Sequence, residues 1–296
     1  MVTERDIYFF DLQGYIIVRG ALSTDEVKAC NDTLDAIPRI DHGAWWGPMQ
    51  CHTYGTGDGF NYQQIYEAGE AFEKLIDHPS WIDKIKKFLG GENTFDMNHG
   101  PLFIDEAFAS FREPGDAIGI HSGGDSCCKR NQYRVHNGQF MVGQVNVLTA
   151  LTDIGPGDGG TVIIPGSHKQ NFKHPDFSKH NMKPGGASGD GLEGSLEVHL
   201  NAGDSLIFAD AICHGSAKRT NEDMRRVVIY RYGPSWGFFR HGFRPSQALL
   251  DRLTPEQRQI VWPHAALKRE PQMNPDFVED DFAADRPAVD STGMGG

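Results

Sequence analysis

Two histidines that are far apart in the chain, His121 and His214, are the residues best placed to do chemistry. Each follows an apolar run with strand-like composition, and Arg225 lies on the next such run. Mononuclear iron is commonly held by two histidines and a carboxylate that leave other coordination positions open. An arginine inside an apolar barrel needs an anionic partner, and a carboxylate can pair with it through two hydrogen bonds. These residues therefore predict a metal centre that binds a carboxylate-bearing cosubstrate.

The third metal ligand is missing from its expected place. Side chains at positions i and i+2 of a strand point the same way, so the carboxylate should lie two residues after His121. That residue is Gly123, and Asp125 follows two residues later. In a straight strand Asp125 would lie about 13 Å from His121, but a turn at Gly123 and Gly124 would bring it back. Three completions stay open: Asp125, another carboxylate, or a water or halide.

These residues need a β-sheet scaffold, and the pattern of the chain predicts one. From about residue 94, short β-branched and aromatic runs alternate with turn residues, which is typical of a sandwich or barrel. Before it, Gly14–Val18 reads as a strand, Ser23 begins a helix ending near Ile37, and 72–88 is helical by period but divided by Pro79. Residues 41–64 show no period and are expected to form a long loop. The predicted strands are Leu102–Ile104, Phe140–Leu151, Thr161–Ile164, Leu196–Leu200, Leu206–Phe208 and Val227–Tyr232.

The composition is that of an ordinary globular protein, and the order of the elements, helices first and then strands, favours one domain. The chain has 296 residues, 39% of them hydrophobic, and a net charge of −12. We expect a single domain over residues 1–268 and an extended or disordered tail over 269–296. The acidic balance argues against nucleic-acid partners and against anionic membrane surfaces. Five scattered cysteines, no visible leader and no membrane-length apolar run together predict a cytoplasmic location.

Several motifs resemble the phytanoyl-CoA dioxygenase family. The segment Gly157-Asp-Gly-Gly-Thr161-Val-Ile-Ile-Pro-Gly-Ser-His-Lys169 is similar to that family's "GG…PGSHK" segment. The N-terminal Phe10-Asp-Leu-Gln-Gly-Tyr15 and the Gly203-Asp…His214-Gly-Ser…Arg225 pattern resemble it too. The resemblance implies a double-stranded β-helix, or jelly-roll, core with flanking helices. It also implies a non-haem Fe(II) enzyme that uses 2-oxoglutarate and dioxygen to oxidise a small molecule.

By this resemblance His121 and His214 ligate iron, and Arg225 pairs with the distal carboxylate of 2-oxoglutarate. His168 is not a metal ligand in the family pattern and is expected to stabilise its loop. Asn146 and Thr161 are expected to face the interior near 2-oxoglutarate, because Asn146 is polar within an apolar run. The departure is Gly123, since a His-x-Gly motif marks related halogenases in which chloride takes the vacant position.

Three functions follow from these residues. Hydroxylation or another oxidation of a small molecule, with release of succinate and CO2, is the first. Halogenation with chloride beside the iron is the second. The third is a catalytically silent barrel that binds a small molecule. Aromatic residues of the 41–64 loop, the 171–195 insertion and the segment from Trp236 to Arg240 are expected to shape the pocket or an oligomer contact. No particular substrate or oligomeric state is predicted.

Overall fold

The computed structural model describes residues 1–53, 59–90, 101–115, 117–123, 129–182, 188–234 and 245–261. Most of the helices pack on one side of a set of antiparallel strands. The helices are α1 (Glu4–Gln13), α2 (Thr24–Ala36), α3 (Glu70–Glu73), α4 (Ile82–Leu89), α5 (Phe177–His180), α6 (Gln247–Arg252) and α7 (Pro255–Val261). The strands are β1 (Tyr15–Val18), β2 (Trp45–Trp46), β3 (Met49–His52), β4 (Phe60–Gln63), β5 (Phe103–Arg112), β6 (Tyr133–His136), β7 (Gln139–Val142), β8 (Val145–Ala150), β9 (Thr161–Ile163), β10 (Leu196–Val198), β11 (Ser205–Ala209), β12 (His214–Ser216) and β13 (Arg225–Gly233).

Two sheets form the core of the fold. The larger has eight strands in the order β1-β11-β8-β13-β5-β4-β3-β2, and the smaller has three in the order β10-β9-β12. All their pairings are antiparallel. One apolar cluster joins the sheets, because Leu148 and Phe208 of the larger sheet belong to the same buried group as Ile163 and Val198 of the smaller. The two layers therefore face each other, as in a jelly roll.

The other face of the large sheet is covered by helices. Phe10 of α1 and Phe88 of α4 stack with ring centroids 3.7 Å apart, and both belong to a buried cluster that includes Val147 and Tyr230 of the sheet. The N-terminus of α2 is fixed by the predicted capping box, in which Ser23 and Glu26 exchange backbone hydrogen bonds. Alternate residues of each strand thus divide between a helix-covered core and the space between the sheets.

Several sequence expectations need correction. The predicted loop 41–64 contains β2, β3 and β4, which extend the large sheet. The single predicted run Phe140–Leu151 is two strands, β7 and β8. The helical region 72–88 is divided around Pro79 as predicted, but its helical parts, α3 and α4, are short, and residues 74–81 between them form turns. The helix α1 was not foreseen from the sequence.

The predicted tail, residues 269–296, lies outside the described residues, and so do Asp125, Tyr54 and the segment from Trp236 to Arg240. Among the described residues, no helix is both long and apolar enough to cross a membrane.

Candidate metal and cosubstrate site

His121 and His214 face each other across a local backbone pairing. The His121 N–H donates to the His214 carbonyl at 2.8 Å, and the His214 N–H donates to the His121 carbonyl at 3.1 Å. Their ring centroids are 4.1 Å apart. His214 opens β12 rather than ending β11, because residues 210–213 carry the chain from the large sheet to the small one. The two predicted histidines are therefore brought together on neighbouring backbone segments.

Both imidazole rings have their Nδ1 atom engaged by backbone. His121 Nδ1 donates to the Gly119 carbonyl at 3.2 Å, and His214 Nδ1 donates to the Ile212 carbonyl at 2.7 Å. A carbonyl oxygen only accepts, so each ring carries its proton on Nδ1 and the lone pair on Nε2. Burial and the neighbouring His214 lower the pKa of His121 well below its usual value. Neutral imidazoles with Nε2 lone pairs are the form that binds a metal.

Gly123 has a packing reason for its lack of a side chain. Its φ is +63°, and a Cβ built there would lie 2.5 Å from the Cβ of Cys213 and 2.9 Å from Nε2 of Gln170. Contacts under 3.0 Å are essentially never seen for a real Cβ, and positive φ favours glycine. The sharp turn after His121 therefore requires glycine at this position, whatever completes the metal site.

The third ligand is not found among the described residues. Within the ranges that the structure describes, no group of three or more His, Cys, Asp and Glu side chains is arranged to hold a metal ion. Asp125 lies outside those ranges. The donor set that the structure brings together is the pair His121 and His214, which fits a metal with open positions.

Arg225 lies at one end of a cavity of about 440 Å3 that His121 and His214 also line. Its side chain is buried, with 5% exposure, and its Nε has no hydrogen-bond partner among the described residues. Burial, together with Arg112 and Arg219, lowers the pKa of Arg225 to about 9. By contrast, Arg226 faces away from the cavity, toward α2, and pairs with Asp35 at 2.6 Å. Arg225 is thus a buried cation with an unused donor, which suits a carboxylate ligand.

Polar groups near Arg225 extend this end of the cavity. Arg112 on β5 lies directly opposite Arg225 on β13 in the strand register. Its side chain donates a hydrogen bond to Ser216 Oγ at 2.7 Å. Ser216 Oγ also accepts from the Ile118 N–H at 2.9 Å, so its own proton is available to a ligand in the cavity. Thr161 lines the same cavity and lies directly opposite Ser216. The predicted residues Arg225 and Thr161 are therefore brought together, with Arg112 and Ser216 beside them.

Asn146 has a different place from the one expected. Its Nδ2 donates to Asp210 Oδ1 at 3.0 Å, and it does not line the cavity among the described residues. Asp210 is buried and pairs with Arg130, which does line the cavity, at 3.0 Å. Arg231 lies six residues after Arg225 on β13, directly opposite Asn146, and pairs with the buried Glu106 at 2.7 Å. Among the described residues that line the cavity, Arg130 and Arg231 are thus each neutralised by a carboxylate.

His168 takes the structural place that was expected. Its Nε2 donates to the Asp11 carbonyl at 3.0 Å, and its ring meets that of Tyr133 edge-on at 4.4 Å. The 41–64 aromatic residues and the 171–195 insertion, both expected to shape the pocket or an oligomer contact, differ in their relation to the cavity. Trp45 and Trp46 are exposed, at 53% and 42%, and do not line the cavity, whereas Met182 of the 171–195 insertion does.

The model of the Phytanoyl-CoA dioxygenase family matches residues 10–227, most of the chain. The chain belongs to the phytanoyl-CoA dioxygenase family. The expected enzyme class, a dioxygenase, is thereby confirmed. It is an Fe(II)- and 2-oxoglutarate-dependent oxygenase family, and those are the family's metal and cosubstrate.

Two relatives show how far the sequences in this comparison have diverged. The chain is 21% identical to Dioxygenase cdmD of Talaromyces verruculosus, over 84% of this chain and 80% of that protein. It is 23% identical to 1-deoxypentalenic acid 11-beta-hydroxylase of Streptomyces exfoliatus, over 77% of this chain and 80% of that protein.

A solved structure shares the fold. HygX of Streptomyces hygroscopicus, with nickel and 2-oxoglutarate bound, superimposes with a TM-score of 0.66 at 21% identity. The match covers 84% of this chain and 94% of that one. This likeness confirms the jelly-roll fold predicted from the sequence.

Proposed function

We propose that this dioxygenase binds Fe(II) through His121 and His214 and oxidises a small molecule at the expense of 2-oxoglutarate and dioxygen. The observation that carries the proposal is the fixed Nε2 lone pair on each of the two facing imidazoles. Asp125, four residues after His121, is the proposed third ligand. When bound, iron and 2-oxoglutarate would supply the oxidising chemistry together with dioxygen: the cosubstrate leaves as succinate and CO2, and the two oxygen atoms of dioxygen end in succinate and in the hydroxylated product.

The protein's own contribution is to bind and orient the cosubstrate. Arg225 would pair with the distal carboxylate of 2-oxoglutarate, and Ser216 would donate a hydrogen bond to it. Thr161 and Arg112 line the same end of the cavity. Asn146 would act indirectly, by donating a hydrogen bond that positions the carboxylate of Asp210.

Hydroxylation is the proposed reaction, and it is the reaction named for the Streptomyces exfoliatus relative. The halogenase alternative rested on the missing side chain of Gly123. Close contacts with Cys213 and Gln170 explain that glycine without a bound chloride, so halogenation is retained only as an outcome of the test.

A cytoplasmic location is also proposed. Its support is that the thiols of Cys30 and Cys51 are buried and form no disulfide, as is usual for proteins of a reducing compartment.

The decisive experiment is anaerobic addition of Fe(II) and 2-oxoglutarate to the full chain, followed by visible absorption. A joint charge-transfer band is expected, together with slow formation of succinate after dioxygen is admitted. Absence of both would overturn the proposal and leave a silent binding barrel. A chlorinated product that depends on added chloride would replace hydroxylation by halogenation. An Asp125→Ala variant with full iron affinity would remove Asp125 from the ligand set.

A further inference from the structure

One buried polar group in the cavity has no partner in the described part of the chain. Asn61 lies in the middle of β4, lines the cavity and is 2% exposed. Its Oδ1 accepts no hydrogen bond there. A buried amide oxygen without a donor is destabilising relative to one that is hydrogen-bonded. A group retained at that cost is a reasonable place for a ligand to supply the missing donor.

The strand pairing explains why Asn61 points into the cavity. Its neighbours Phe60 and Tyr62 face the opposite way and contribute to the helix-covered core, so alternation turns Asn61 toward the space between the sheets. Ser110 lies directly opposite on β5 and also lines the cavity. Side chains in such directly opposed positions have Cβ atoms about 4.5–5.5 Å apart. The amide and the hydroxyl can therefore contact one group of a ligand.

The charges around the cavity restrict what that ligand is. Arg130 and Arg231 are each neutralised by a buried carboxylate, Asp210 and Glu106. Four arginines of the described part of the chain line the cavity, and they disfavour a cationic donor. A neutral donor is therefore favoured at Asn61. Beside it the wall is apolar, because Phe108 and Ile229 occupy the next inward-facing positions of β5 and β13.

We infer that Asn61, with Ser110, is the specificity-determining pair that receives a hydroxyl group of an uncharged, otherwise apolar substrate. Asn61 Oδ1 accepts a hydrogen bond from the substrate hydroxyl. The Ser110 hydroxyl donates a hydrogen bond to the oxygen atom of that substrate hydroxyl. The inference rests on the proposed function, in which the end of the cavity at Arg225 is taken by 2-oxoglutarate.

The test uses two probes of nearly equal size, 1-adamantanol and 1-fluoroadamantane, of which only the first is a donor. Their dissociation constants are measured by titration calorimetry on the full chain without iron. Wild-type protein is expected to bind the alcohol about tenfold more tightly, because the fluoride leaves the buried oxygen unpaired. Asn61→Leu should bind the two equally, and Ser110→Ala should lose part of the preference. Gln50→Leu is the control, because Gln50 donates to the Gly43 carbonyl and does not line the cavity.

Thermal melting separates recognition from a structural role. Asn61→Leu should melt at the wild-type temperature or above it, because it removes an unsatisfied buried group. A large fall in melting temperature, equal wild-type affinity for the two probes, or no alcohol binding would overturn the inference. The inference would also be overturned if adamantane-1-carboxylate bound more tightly than 1-adamantanol in the presence of 2-oxoglutarate, because that result would point to an anionic substrate. Because these titrations need no iron, they remain decisive if the absorption experiment fails, and the two failures are distinguishable.

Discussion

Arg112 and Arg225 lie directly opposite each other on β5 and β13, and both guanidinium groups are buried, with residue exposures of 2% and 5%. Two like charges at one end of a cavity repel each other and disfavour the empty state. A dicarboxylate such as 2-oxoglutarate brings negative charge to that place and relieves the repulsion.

Replacing Arg225 should therefore weaken cosubstrate binding. Hydrogen bonds to charged groups are worth about 1.5–3 kcal/mol, so Arg225→Ala should raise the dissociation constant of 2-oxoglutarate about 10- to 100-fold. Calorimetric titration measures it. Arg226→Ala is a matched control one residue away, because its side chain faces away from the cavity, toward Asp35. Equal effects of the two variants would contradict the assignment.

The histidine pair should control metal content. His121→Ala and His214→Ala should each lose tightly bound iron while keeping the wild-type fold, as judged by metal analysis and far-UV circular dichroism. Removing only a partner that orients a metal ligand commonly costs 10- to 100-fold in metal affinity, so removal of a ligand should cost at least as much. His174→Ala serves as the control, because His174 contacts the Glu193 carbonyl at a surface position. Iron retained by both cavity variants would exclude this pair as the metal site.

A carboxylate introduced at position 123 should not build a better iron site. Gly123→Asp places a Cβ against Cys213, and forced packing of this kind costs about 1–3 kcal/mol. Gly138→Asp separates this clash from the cost of positive φ, because Gly138 has a φ of +73° and nothing within 4 Å of its Cβ position. Urea denaturation should show the larger loss at Gly123. A rise in iron affinity in Gly123→Asp would contradict the packing explanation.

The inward face of the strands was only partly predictable from the sequence. Adjacent arginines meant that either Arg225 or Arg226 could face the barrel, and alternation alone could not choose between them. Once Arg225 is known to face inward, the same period places Arg231 inward as well, a signal that sequence reasoning passed over. Arg112 could have been found in the same way had β5 been recognised at its full length.

Other features carried no readable signal. The strands β2 to β4 have two to four residues each, too short for alternation to show. Asp210 lies in the connection between β11 and β12, where no strand period applies. Its burial depends on Arg130 and Asn146, which are distant in the chain.

The buried His168 should make stability depend on pH. Burial lowers its pKa to about 4, whereas an unfolded chain keeps a value near 6.5. Between these values the unfolded state binds a proton that the folded state does not. The contribution of His168 to the free energy of unfolding is therefore highest above about pH 6.5, and it decreases as the pH falls toward 4 because the unfolded chain binds a proton at His168. The whole shift corresponds to about 3 kcal/mol.

Urea unfolding at several pH values from 4 to 7.5 measures this effect. The free energy of unfolding of His168→Gln should change less over that range than the wild-type value does. His199→Gln is the control, because the side chain of His199 is 45% exposed. Parallel pH profiles for wild type and His168→Gln would refute the prediction.

The ion pair of Asp210 and Arg130 should stabilise the folded protein. Asp210→Asn removes a charge-assisted hydrogen bond to Arg130 and should cost about 1.5–3 kcal/mol in the free energy of unfolding. The exposed pair of Lys28 and Asp32 offers the comparison, because Asp32→Asn should cost less than about 1 kcal/mol. Similar losses from the two variants would show that the buried pair has no special weight.

The imidazoles of His121 and His214 are each oriented by the carbonyl two residues before them on their own segment. No side chain from the opposite sheet takes part in those two hydrogen bonds. The orientation of each ring is thus set by a short piece of its own backbone, whereas the cavity walls on β4, β5 and β13 belong to other segments. Mutations in those walls can alter what is accepted without turning the imidazoles. This separation gives the scaffold a route to diversify its substrates during evolution.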